Sequence, residues 1–124
     1  VVKLGSGAVL AAAGKFANGG PVGVTEIYDP TADAWTEGPD IGAPRTGAAA
    51  VTLQSGNALI LGGYDQTTND FLDELLVFDA ITLSWTALPP LLDARVVSTA
   101  TLLDDGRVLV AGGLGAERSC EIAE

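Results

Sequence analysis

The residues with chemical potential gather behind one apolar run. In the stretch ALILGGYDQ, Ala58 to Gln66, four apolar residues lead directly into Gly62-Gly63. A glycine-rich turn leaving a strand can cradle a phosphate, provided that a helix N-terminus follows to aim its N–H groups at the anion. Just beyond stand Tyr64, Asp65, Asn69 and Asp70. Oxygen donors of this kind could hold Ca²⁺, but they lack the ligand spacing of a calcium loop. Arg45 and Arg95 each close a proline-bearing segment, where a guanidinium could meet an acidic or hydroxyl-rich partner. The reactive inventory ends there. The chain has no histidine, which removes Ser-His-Asp triads, Cys-His pairs and histidine metal sites. A lone Cys120 reads as a small apolar residue, forms no intrachain disulfide and leaves the compartment open.

The elements that position these residues repeat. Displaced by fifty residues, Tyr28 falls on Phe78, Asp29 on Asp79, Trp35 on Trp85, Pro39 on Pro89 and Arg45 on Arg95. Gly62-Gly63 falls on Gly112-Gly113 at the same interval, and Gly7, Gly56 and Gly106 each precede Gly14, Gly63 and Gly113 by seven residues. A self-similarity of this period signals a repeat architecture. Each unit reads as four short strands, here a to d. Small and β-branched segments (GAAAVTL, VVSTATLL) run through turns (QSGN, DDGR) into the continuous apolar runs ALIL and VLVA. Such runs predict strands buried on both faces. A variable polar loop follows, then VTEIYD or ELLVFD, a turn, and a short strand holding the tryptophan. No stretch shows helical periodicity, so the phosphate-loop reading of the glycines lacks its helix.

Four strands in about fifty residues is the pattern of a propeller blade. With Gly62-Gly63, Phe78-Asp79, Trp85, Pro89 and Arg95, and with Tyr28, Trp35, Pro39 and Arg45 before them, the chain resembles the kelch repeats. The fold expected is all-β, an incomplete β-propeller of about eleven strands. Its units are 1–44, 45–94 and 95–124, the last lacking its outer strand. Two departures stand out: Ala13-Gly14 replaces the glycine pair in unit one, and Ala123-Glu124 stands where tyrosine and aspartate would fall in unit three. The resemblance implies structural roles for Gly14, Gly62, Gly63, Gly112 and Gly113, with Tyr28, Phe78, Trp35 and Trp85 packed near the glycine pairs as core residues. Strand a is innermost in a propeller, so Arg45 and Arg95 are expected near the channel mouth. There they contact a partner, or else bond linker carbonyls and pair with Asp40 and Asp93.

Antiparallel connectivity places the b–c loops and d–a links on one face. The b–c loops KFANGGPVG, YDQTTNDFLD and LGAER differ while the frame repeats, and variable loops on a rigid frame are where recognition sits. Tyr64, Asp65, Asn69, Asp70, Arg45 and Arg95 are therefore the candidate partner-binding residues. A solvated loop and spent arginines are the plainer alternative. No catalytic residue, cofactor or metal is expected, and the function expected is a non-catalytic interaction module for a protein partner. The alternative is a carbohydrate-binding or galactose oxidase-like propeller, to whose repeats TEGPDIGAPR (Thr36 to Arg45) is similar. That family's copper centre needs histidine and a tyrosine–cysteine crosslink, for which Cys120, Tyr28 and Tyr64 have no matching context.

A net charge of −10 repels phosphate backbones and anionic lipid, so neither nucleic acid nor membrane insertion is expected. The same charge keeps an apolar chain soluble. Fewer than four blades cannot close a ring, and the outer faces would expose apolar surface. Further blades are therefore expected, from a longer parent chain or from identical chains around an axis. The absence of Met favours the former, and an extracellular or cell-surface setting is favoured over the cytoplasm.

Overall fold

In a computed structural model, residues 1–20, 22–116 and 119–123 are described, and they form strands and turns without helix. Strands β1 (Val2–Lys3), β2 (Val9–Ala11), β3 (Thr25–Asp29) and β4 (Ala34–Gly38) make one antiparallel meander. The second sheet begins with β5 (Ala49–Thr52) and β6 (Ala58–Leu61). A small hairpin, β7 (Tyr64–Asp65) and β8 (Asp70–Phe71), interrupts it before β9 (Leu75–Asp79) and β10 (Ser84–Leu88) complete the order β5-β6-β9-β10. The third sheet is β11 (Thr99–Leu102), β12 (Val108–Ala111) and β13 (Cys120–Ala123). The eleven expected blade strands are all present, and β7 and β8 are two more. In the third b–c loop, Glu117 and Arg118 lie outside the described residues, as do Pro21 and Glu124.

Alternation along each strand builds the core. Successive side chains of a strand point to opposite faces. Ala58 and Ile60 of β6, with Leu76 and Phe78 of β9, pack against Val2, Leu4 and Leu10 of the first unit. Leu59, Leu61 and Leu75 turn the other way and meet Val108 and Val110 of the third. The middle sheet is thus sandwiched, and all four residues of β6 are buried. Among the described residues β12 has a neighbouring sheet on one side only, and its burial alternates. Continuous burial on both faces therefore holds for β6 but not for β12.

The a–b turns are near copies. Gly7, Gly56 and Gly106 have φ of 95°, 88° and 89°, and the N–H of each bonds back to Leu4, Leu53 and Leu103. In the c–d turns the repeated aspartate caps the chain. Asp79 accepts N–H bonds from Ile81 and Thr82 at 2.8 and 2.9 Å, and Asp29 accepts from Thr31 at 2.8 Å. These bonds favour the carboxylate. The Thr31 hydroxyl and N–H hold Asp29, and the N–H groups of Thr82 and Ile81 hold Asp79, below the usual carboxylate range.

Two expectations about the aromatics need correction. In register, Phe78 stands opposite Ala58, whereas Leu61, beside the glycine pair, stands opposite Leu75. The Phe78–Trp85 pair, with ring centroids 5.1 Å apart, is therefore at the far end of β6 from Gly62-Gly63. Trp85 is half-buried because its indole N–H reaches the Pro39 carbonyl of the preceding unit at 3.2 Å. Trp35 stacks on Tyr28 in the same way but is 53% exposed, not a core residue. Among the described residues no earlier unit lies against it.

Candidate functional site

What the glycine pairs accommodate is backbone. The N–H of Gly14 donates to the carbonyl of Arg45 at 2.8 Å, and the N–H of Gly63 donates to that of Arg95 at 2.9 Å. Each bond joins one unit to the next. Gly62 has φ of 62°, and a Cβ there would overlap the Arg95 carbonyl oxygen. The equivalent Gly112 has φ of 65°, and among the described residues no atom beyond its chain neighbours lies within 4 Å of where a Cβ would be. Its sequence counterpart in unit one, Ala13, takes the same backbone conformation at φ 64°.

The arginine side chains complete this junction from the other direction. Arg45 is fully buried; its guanidinium donates to the carbonyls of Ala43 and Gly62 at 3.2 and 3.3 Å and pairs with Glu74 at 2.5 Å. Arg95, equally buried, reaches the Gly112 carbonyl at 3.1 Å and the Ser119 hydroxyl at 3.0 Å, and pairs with Glu121. The cationic contact expected at the channel mouth is therefore not presented at either position. Carbonyls at the glycine exit absorb the planar fork of donors. The pairing differs as well. Arg45 uses Glu74 rather than Asp40, while Arg95 adds Asp93 only at 3.9 Å. Neither glutamate was singled out from sequence, because each reaches its arginine across 26 to 29 residues.

The hairpin of β7 and β8 replaces the expected irregular loop. Reciprocal bonds between Thr46 and Tyr64 at 3.0 and 2.8 Å fix its base to the start of strand a. Tyr64 and Phe71 pair across it, edge to face, with centroids 5.9 Å apart. Asp65 is buried at 5% exposure and accepts the Thr67 N–H at 2.7 Å. The Thr67 N–H holds its carboxyl below the usual range. Asn69 turns the chain at φ 65° and accepts the Tyr64 hydroxyl at 2.5 Å. Asp65 is thus a turn cap rather than a partner contact. With Asn69 committed to Tyr64, the set does not converge on a common ligand point. Asn69 and Asp70 are both exposed, and among the described residues Asp70 is the one of the four without such a bond.

Between units two and three on this face lies an apolar cleft of 360 Å³, floored by Tyr64, Phe71, Val96, Val97 and Leu114. Leu114 holds in unit three the place of Tyr64, and its N–H and carbonyl bond reciprocally to Val96. Val97 and Leu114 were not singled out from sequence. The signal was present, since the fifty-residue displacement sets Val97 against Gly47.

Three four-stranded or three-stranded sheets, turned alike and riveted glycine to arginine, define a run of β-propeller blades. Comparison with known proteins agrees with this class. The chain is 30% identical over 104 residues to Kelch-like protein 23 of Mus musculus and 29% identical to that of Homo sapiens, each match covering 84% of this chain. It is also 29% identical over 93 residues, 71% of the chain, to Beta-scruin of Limulus polyphemus. The chain spans 18% of the length of the first two relatives and 10% of the third. No protein-family model matches. The chain belongs to the kelch-repeat family.

Proposed function

We propose that the chain is a non-catalytic interaction module that binds a protein partner on the face formed by its b–c loops and d–a links. The observation that carries this reading is where variation falls. On the opposite face the a–b turns are built alike, with the same glycine conformation and the same return bond in all three units. On the b–c face, the first unit turns tightly between Phe16 and Gly20, where the Phe16 N–H donates to the Gly20 carbonyl at 2.8 Å, and the next carries the β7–β8 hairpin. A rigid frame that repeats, with one face allowed to differ, is the arrangement of a recognition surface. Further blades, from a longer chain or other copies, would cover the outer sheet faces, where Trp35 and Ile122 stand exposed.

A photo-crosslinking side chain at exposed Thr68, in the β7–β8 turn, should trap a protein partner, and one at exposed Ser55, in an a–b turn, should not. Trapping only at Ser55 would refute the choice of face. Selective retention on a glycan array with no protein adduct would move the reading to the carbohydrate-binding alternative.

A further inference from the structure

Arg45 and Arg95 fill equivalent places in units two and three, and unit one shows that place without an arginine. Register fixes the equivalence. Ala11 stands opposite Glu26, Ile60 opposite Leu76 and Val110 opposite Glu121. Two residues back along strand c, Val24 therefore matches Glu74 and Ser119; two residues on from strand b, Ala13 matches Gly62 and Gly112. From these strands Arg45 takes the Gly62 carbonyl and Glu74. Arg95 takes the Gly112 carbonyl, the Ser119 hydroxyl and Glu121. The counterparts in unit one are the Ala13 carbonyl, Val24 and Glu26, so one carbonyl and one carboxylate of the set stand in place there.

Ala13, Gly14, Phe16, Val22, Val24 and Glu26 line a cleft of 370 Å³. A Cβ on Gly63 would lie 3.2 Å from the Arg45 side chain, whereas among the described residues nothing beyond its chain neighbours lies within 4 Å of one on Gly14. Glu26 is exposed and has no ion-pair partner among the described residues. Lys15, also at the cleft, is engaged elsewhere. With the Gln66 amide oriented by its hydrogen bonds, its oxygen accepts from the Lys15 ammonium at 3.0 Å and its nitrogen donates to the Gly19 carbonyl at 3.2 Å. Val24 and Phe16 are exposed, so the walls offer hydrocarbon to the stem of a long side chain. A lysine ammonium is a compact point charge, while a planar guanidinium carries five donors that can span a carboxylate and a carbonyl together. Both filled sites use that fork.

We propose that the cleft of unit one is a binding site for a guanidinium, the side chain of an arginine brought by a polypeptide segment outside the described residues. Glu26 pairs with it as Glu121 pairs with Arg95, and the Ala13 carbonyl accepts from it as that of Gly112 does. Val22 and Val24 flank its stem. The site stands whichever face of the chain meets a protein partner.

The test is a titration of the isotope-labelled chain, followed by its backbone amide resonances, with a capped glycine–arginine–glycine peptide. Matched peptides carrying lysine, or citrulline as the uncharged isostere of arginine, serve as controls. The arginine peptide should shift the amides of Ala13, Gly14 and Glu26, and both controls should bind more weakly. Glu26→Gln should weaken the arginine peptide about tenfold, the order of one charge-assisted hydrogen bond. Val24→Glu restores the carboxylate that Arg45 uses and should tighten binding by a similar factor. Both residues are exposed, so the fold tolerates either change. Repeating the titration with any residues encoded ahead of Val1 included separates two sources of the arginine. Binding that persists assigns the site to a partner's arginine, and binding that is lost assigns it to one of the chain's own. An equal response to lysine or citrulline, shifts only at other residues, no shift, or an affinity indifferent to Glu26→Gln would each overturn the site.

Discussion

Replacing Gly62 and Gly112 by alanine, one at a time, separates backbone cost from the close approach of a neighbouring blade. The two glycines have φ of 62° and 65°, so alanine meets nearly the same conformational penalty at each, about 1 kcal/mol. Their neighbours differ. At Gly62 the new methyl would overlap the Arg95 carbonyl, with the Leu72 carbonyl oxygen 3.5 Å away. The Arg95 carbonyl is not free to retreat, because it accepts the Gly63 N–H at 2.9 Å. Relief therefore means parting units two and three, at the expense of that hydrogen bond and of packing around Leu61 and Val110. A lost bond of about 1 kcal/mol and overpacking of about 1–3 kcal/mol, added to the conformational penalty, bring Gly62→Ala to roughly 3–5 kcal/mol in all. At Gly112 nothing among the described residues lies within 4 Å of the new methyl, so the cost should stay at about 1 kcal/mol. Urea unfolding followed by tryptophan fluorescence measures both, with the denaturant slope checked for constancy. Equal costs at the two positions would refute the assignment of Gly62 as a backbone-approach residue.

Arg45→Ala removes three hydrogen bonds from a buried guanidinium. Glu74, about half exposed, can return to water, so the loss should be about 3 kcal/mol rather than the upper end for a buried pair; a loss below about 1 kcal/mol would show the pair to be incidental. Leu83 turns the chain at φ 52°, where the preceding unit has Asp33 at 49°. Leu83→Gly should therefore raise the melting midpoint, by about 1 kcal/mol of stability, and a lowered midpoint would count against backbone strain there. Asp29, Asp65 and Asp79 are held below the ordinary aspartate value of 3.8 by N–H and hydroxyl bonds. Their folded carboxyls bind protons less readily than unfolded ones, so the stability they add is present above that value. It is lost as pH falls from about 3.8 through the lowered folded values,. Circular dichroism across that range should show acid unfolding, displaced in the Asp79→Ala variant. An identical acid profile for the variant would exclude Asp79 as a contributor.

Much of the frame was legible because it is periodic. Trp35 and Trp85, the paired glycines and the turn glycines state a blade four strands deep, and continuous apolar runs such as ALIL state a strand with neighbours on both faces. These are local facts, and side-chain alternation carries them into the sheet without reference to anything distant. The hairpin within 64–71 escaped because its two-residue strands are too short for a period to show, and its polar residues resemble a solvated loop. Asp65, Arg45 and Arg95 were placed at a partner surface for the same reason. In sequence they are polar groups near variable loops, and only folding reveals that carbonyls and N–H groups converge on them first.

By itself, then, the sequence determined the repeat, the strand order within each unit and the two-sided core of the middle sheet. Each depends on which residue follows which, at separations of one turn or one hairpin. Tertiary structure decided which glycine needs to be bare, what each arginine is for and where apolar surface stays exposed. Those answers depend on atoms tens of residues away, such as the Arg95 carbonyl over Gly62 and Leu114 beside Val97, which meet only when one blade is laid against the next.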